Sequence, residues 1–230
     1  MQRVKDFYEK NYNCQYTYPK IPDNTEPFGW ITSTGKIPYL PLQIDGPWKA
    51  ILKEIQDVDH LFIPHRNDGN SKGWSSICLH GLGMHHTDAP SIYPEFKDIP
   101  ENHLPYKWTD LADVCPIAYD YFKNTFPYQK YSRLRFMRLE PGGYITPHHD
   151  AQSFVLNAVN ISLNNPIGCN MVLENIGTVP FKDTGTVMAF NSSYEHIVWN
   201  QSNNARYHMI VHGMWKPSWK QIIINSYTNR

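Results

Sequence analysis

A mainly β domain with supporting helices, an α+β fold built as a sandwich or jelly roll, is what this 230-residue chain predicts. Helical patterns fall before residue 130, and from 131 onward short β-type runs alternate with turns of Gly, Asn and Pro. Hydrophobic residues at 41% and aromatics at 14% supply the material for one core, so a single domain over 1–230 is expected.

Residues 1–46 are rich in Tyr, Pro, Asn and Gly without a sustained period, and read as an irregular arm. Asp45, Gly46 and Pro47 then offer helix-start chemistry. Trp48, Ile51, Leu52, Ile55 and Val58 recur at helical spacing, predicting an amphipathic helix near 47–58. The segment 73–81 has strand composition between glycines. A second helix is expected over 109–126, carrying Leu111, Val114, Ala118, Tyr119 and Phe122, with Pro116 kinking it or starting its second half. Seven strands are expected at 131–139, 142–150, 154–163, 169–177, 185–191, 195–200 and 206–215. The chain thus divides into an N-terminal arm with supporting helices (1–130), a jelly-roll core (131–217) and a C-terminal tail (218–230).

Lysine plus arginine and aspartate plus glutamate both count 21, so no basic footprint marks a nucleic-acid partner. The first ten residues hold no apolar signal region and no run has the length of a membrane span. A soluble, cytoplasmic protein with no membrane partner is expected. Cys14, Cys78, Cys115 and Cys169 are far apart and predict buried reduced thiols, neither a disulfide framework nor a thiolate zinc site. Nothing specifies an oligomer.

The unusual feature is eleven histidines. In Pro147-His148-His149-Asp150, strand alternation puts His148 and Asp150 on one face and His149 on the other. His and carboxylate two residues apart suit a divalent ion such as iron or zinc. His196 is the best third ligand, on a later strand beside the Asn/Ser-rich turn at 200–204. A hairpin about that turn would set His196 opposite His208 and Val198 opposite Arg206. Two histidines and a carboxylate on one face of an octahedral Fe(II) leave room for a bidentate oxo-acid and O₂, and the planar Arg206 fork suits the remote carboxylate of such an acid. Asn160, Ser162 and His208 face the same interior and are candidate pocket residues. Arg133 and Arg135 read as a solvated face, and His85, His86 and His212 have no partner at usable spacing. A cupin-like zinc hydrolase or isomerase could use the same three ligands without needing Arg206, and a non-catalytic metal-binding module could keep the fold.

The segments LEPGGYITPHHD at 139–150 and GTVMAFNSSYEHIVWNQSNNARYHMIVHGMWKP at 185–217 resemble the Fe(II)/2-oxoglutarate-dependent dioxygenases, and more narrowly the aspartyl/asparaginyl β-hydroxylase family. The resemblance implies a double-stranded β-helix, a cupin-like jelly roll, with His148 and His196 as iron ligands and Arg206 holding the 2-oxoglutarate C5 carboxylate. It implies Fe(II), 2-oxoglutarate and O₂ as cofactors, succinate and CO₂ as co-products, and a small-molecule or peptide substrate hydroxylated at an amino acid. Two positions depart from the pattern. Asp150 stands where animal aspartyl/asparaginyl β-hydroxylases have glycine, whereas similar bacterial proline hydroxylases keep His-x-Asp. Asn160 and Ser162 stand where the family commonly has Arg-x-His, so a neutral or zwitterionic amino acid is expected ahead of an aspartyl residue.

Overall fold

The computed structural model describes residues 1–66, 69–150, 156 and 158–230. Its helices are α1 (Gln2–Asn11), α2 (Pro27–Ser33), α3 (Trp48–Asp57), α4 (Leu111–Val114), α5 (Pro116–Asp120) and α6 (Trp219–Thr228). The strands are β1 (Tyr39–Leu42), β2 (Ile63–Pro64), β3 (Ser71–Gly81), β4 (Lys107–Trp108), β5 (Tyr128–His148) and β6 (Ala158–Asn164). They continue with β7 (Cys169–Leu173), β8 (Gly177–Thr178), β9 (Val187–Phe190), β10 (His196–Asn200) and β11 (Arg206–Trp215). The strands pair antiparallel in the order β1-β9-β6-β11-β5-β10-β7-β8, with β3 also on β5 and β2 and β4 on β3. This curled antiparallel sheet with modest helical content is the mainly β, jelly-roll architecture the sequence predicts.

Side-chain alternation sorts the layers. On β11, Tyr207, Met209 and Val211 pack outward with Val159, Ile161 and Leu163 of β6 against the helices, where Ile51 and Ile55 of α3 and Trp219 and Ile223 of α6 complete the largest core. The alternate residues turn inward, between the two halves of the curled sheet, where Met171, Met188, Phe190 and Val198 form a second core. On the other outer face, Val4 and Phe7 of α1 cover Val172 and Ile197.

Several expectations are corrected. The arm over 1–46 is not irregular: it carries α1, α2 and β1, because Val4 and Phe7 of α1 and Ile31 of α2 have buried sites waiting on the body. The tail is a docked helix, α6, anchored by Trp219 and Tyr227. The helix expected over 109–126 is broken at Cys115; Pro116 opens α5, whose first free N–H groups, on Ile117 and Ala118, are taken by the Glu54 carboxylate. The expected strands 131–139 and 142–150 are one, β5, bent at Glu140–Gly143, with Gly142 at a φ of 70° and a register slip in the β3 pairing between Lys72 and Trp74. Residues 154, 155 and 157 of another expected strand lie outside the described residues.

Gly177 marks where α1 is tied down. Its φ is +105° and a Cβ there would run into the Cys14 carbonyl oxygen, while Asn11 Oδ1 accepts the Asn175 N–H at 2.8 Å. Gly177→Ala is expected to cost about 2–4 kcal/mol, from left-handed strain and overpacking together. Thermal denaturation checks it, and an unchanged midpoint would show that the α1 edge yields freely.

Candidate metal centre

β5 and β10 build the site. His196 pairs directly with His148 across the ladder, and their rings lie 4.2 Å apart between centroids. The hairpin expected between β10 and β11 does not form. Both strands instead run antiparallel to β5, end to end along it, so His208 faces Met137 and Ser162 and not His196. The buried Asn200 amide explains the path: it donates to Leu139 O on β5 and to Asn204 O, and its Oδ1 accepts from Ser202, closing the 200–204 loop onto β5.

β5 ends at His148, and the Asp150 N–H donates to Ser192 O, which brings the carboxylate back to the rings. Asp150 Oδ1 lies 3.6 Å from His148 Nε2 and Oδ2 lies 3.7 Å from His196 Nε2. Among the described residues these three form the one cluster able to hold a metal ion, with all ligand atoms within 4.8 Å of one another. The donor set fits the ion. His148 Nδ1–H donates to Thr146 O and His196 Nδ1–H to Tyr194 O, both at 2.8 Å, which leaves each Nε2 lone pair for the metal. Burial, and His148 beside it, push the His196 pKa down to about 4, so its ring is neutral and ready to ligate at neutral pH. His149 is turned away and donates to Ser193 O.

The triad lines a cavity of about 310 Å³ that Arg206, His208 and Asn160 also line. Arg206 is buried; its Nη2 donates to His208 Nδ1 at 2.8 Å and its Nε to Asn165 Oδ1 at 3.4 Å. Burial lowers its pKa to about 10, which keeps it charged, and no carboxylate of the described residues pairs with it. His208 donates from Nε2 to Asn165 Oδ1, so its Nδ1 accepts from Arg206, and Asn160 satisfies that nitrogen only with its amide NH₂ turned toward the ring. A buried guanidinium with no carboxylate partner, lining the same cavity as the triad, has the chemistry to take up an anion.

The family model for Aspartyl/Asparaginyl beta-hydroxylase matches residues 45–217. The chain belongs to the aspartyl/asparaginyl β-hydroxylase family. No curated protein matches it. Among solved structures it is similar to a Trichoplax adhaerens prolyl hydroxylase in complex with a hypoxia inducible factor peptide fragment (8% identity, 85% of this chain and 89% of that one, TM-score 0.44). It is also similar to a Pseudomonas putida prolyl-4-hydroxylase (13% identity, 72% and 86%, TM-score 0.40). A 2OG-Fe(II) oxygenase family oxidoreductase from Burkholderia pseudomallei is similar as well (16% identity, 72% and 82%, TM-score 0.41).

The two positions where this member of the β-hydroxylase family departs from Arg-x-His are both engaged internally. Asn160 is held by His208, and Ser162 Oγ accepts the Thr186 N–H, off the cavity wall. Arg133 and Arg135 do not form a solvated face but line the cavity, and His212 does have a partner, accepting from Arg135 Nη2 at 3.4 Å on the same wall; His65, Arg66 and Asp88 line it as well. The in-phase spacing of Arg133, Arg135 and Met137 with the inward residues of β11 was the available signal; without the β5–β11 register it could not be assigned to a face. No helix is long and apolar enough to cross a membrane among the described residues.

The buried histidines set a pH dependence. Burial pushes His65 down to about 3 and His80 to about 4, with Arg135 adding to the effect on His65. Burial and then Arg206 depress His208, and burial and then Arg135 depress His212. In the unfolded chain each takes a proton near 6.5. From about 6.5 down to 4 the unfolded state binds more protons, so stability falls as pH drops through that window. The melting temperature of metal-free protein is expected to be level between about pH 7 and 8 and to fall steadily below about 7; a midpoint that rises on acidification from about 7 to 5 would contradict this assignment.

Proposed function

We propose that the protein is an Fe(II)- and 2-oxoglutarate-dependent dioxygenase that hydroxylates an amino acid, free or within a peptide. The observation that carries this reading is the conjunction, in one cavity, of His148, Asp150 and His196 with both Nε2 lone pairs available, and the buried, carboxylate-free Arg206. Family membership supports the oxygenase class. With iron bound, O₂ would be the oxidant and 2-oxoglutarate the co-reductant, one oxygen atom going to succinate as CO₂ leaves and the other to a C–H bond of the substrate.

In this reading His148, Asp150 and His196 hold the metal from one side and leave the opposite positions for ligands. Arg206 orients 2-oxoglutarate through its remote carboxylate, itself held by His208 and Asn165. Met171, Phe190 and Val198 give the cavity apolar walls that exclude water from the reacting centre. Screening free amino acids and short peptides for stimulated succinate release, with a mass gain of one oxygen in the product, tests the proposal. Turnover that persists without 2-oxoglutarate would point instead to a metal-dependent hydrolase or isomerase.

A further inference from the structure

The cavity holds more positive charge than the proposed cofactors use. Arg66 is balanced by Asp88, with Nε to Oδ2 at 3.3 Å. If the centre is loaded as proposed, the charges of the metal and Arg206 are balanced by Asp150 and the two carboxylates of 2-oxoglutarate. Arg133 and Arg135 then remain, and no carboxylate of the described residues forms an ion pair with either. Arg138, the third arginine on this strand, is spent: it is bound to Asp59, Glu140 and the Tyr207 hydroxyl.

Arg135 is built to wait for a ligand. It is 7% exposed, its Nη1 donates to Thr87 O at 2.7 Å and its Nη2 to His212 Nε2 at 3.4 Å, while its Nε has no partner. Those two neutral acceptors fix the plane of the guanidinium without neutralising it, and a buried charge left this way is costly unless an anion completes it. The position is separate from that of Arg206. Arg135 faces Ile210 on β11, four residues along from Arg206, which is roughly 13 Å of strand at about 3.3 Å per residue. Arg135 and Asp150 line the same cavity, and Arg135 feels the charge of that carboxylate.

We propose that Arg135, assisted by Arg133, binds a carboxylate of the substrate, in a second anion site distinct from the one at Arg206. This rests on the dioxygenase reading for the identity of the first anion. It also relocates specificity: the positive charge missing at Asn160 and Ser162 is supplied from β5. The substrate class is therefore an amino acid presenting a carboxylate, at its α-carbon or on its side chain.

Paired probes differing in one group test this. N-acetyl-aspartyl amide against N-acetyl-asparaginyl amide reads a side-chain carboxylate; free L-asparagine and L-proline against their α-amides read an α-carboxylate. Binding is measured by calorimetry to the anaerobic iron-loaded protein, with and without 2-oxoglutarate. In one of the two arms the carboxylate member is expected to bind at least about 30-fold more tightly than its amide, and Arg135→Gln to erase that difference. Arg135→Lys should restore part of it, and 2-oxoglutarate affinity should stay within about twofold in both variants. Arg133→Gln, at a half-buried position, is expected to narrow the gap without disturbing the core, which keeps the test decisive if Arg135→Gln fails to fold. Equal binding, or none, by both members in both arms overturns the proposal, as does loss of 2-oxoglutarate affinity in Arg135→Gln with the pairs still separated. Because the probes are read without turnover, failure of 2-oxoglutarate to bind would sink the dioxygenase reading alone.

Discussion

His196→Ala is expected to lower the affinity for Fe(II) by more than about 100-fold, the upper end of what losing even an outer partner of a metal ligand costs, and to remove all 2-oxoglutarate-dependent activity. The ring is buried, neutral and held by Tyr194 O with Nε2 toward Asp150 and His148, so no neighbouring group can take its place. Asp150→Ala removes a ligand whose side chain is half-exposed, and so tests the site with less disturbance of the buried interior. Competitive metal titration with a chelating indicator gives both affinities. Wild-type affinity in His196→Ala would remove this histidine from the metal site.

Arg206→Ala is the second large effect. Removing one partner of a desolvated, bidentate charge pair costs about 2–5 kcal/mol, or roughly 30-fold to several thousand-fold in the dissociation constant of 2-oxoglutarate, with metal affinity nearly unchanged. Arg206→Lys should recover only part, because an ammonium has all its donors on one nitrogen and cannot span His208, Asn165 and both oxygens of a carboxylate as the guanidinium fork can. Equal 2-oxoglutarate affinity in wild type and Arg206→Ala would show that the anion sits elsewhere, with Arg135 the next position to examine.

Much of this was legible in the sequence because it rested on local chemistry. The β11 boundaries follow from an alternating run ending before Lys216 and Pro217, and α3 from Trp48, Ile51 and Ile55 recurring on one face. The grouping of His148 with Asp150, apart from His149, came from alternation, although the structure delivers it through a loop contact to Ser192 after the strand has ended. What the sequence hid was long-range. Nothing local says that β10 and β11 follow one another along the same edge of β5 instead of pairing, so the neighbour of His196 is His148 and not His208. The same strand decides the fate of its arginines: Arg138 points outward to Asp59, while Arg135 turns into the cavity. The segments α1, α2 and α6 were missed because their stability comes from docking against the sheet more than from helical pattern, as the anchoring of Phe7, Ile31 and Trp219 shows.

The central claim, that one cavity holds a 2-oxoglutarate-binding iron centre, is tested most directly by titrating anaerobic, Fe(II)-loaded protein with 2-oxoglutarate and following the visible metal-to-ligand charge-transfer absorption. A band that grows to saturation with stoichiometric 2-oxoglutarate in wild type, demands far more in Arg206→Ala and never forms in His196→Ala is the predicted result. Iron bound at His148, Asp150 and His196 with no band at any 2-oxoglutarate concentration would contradict it.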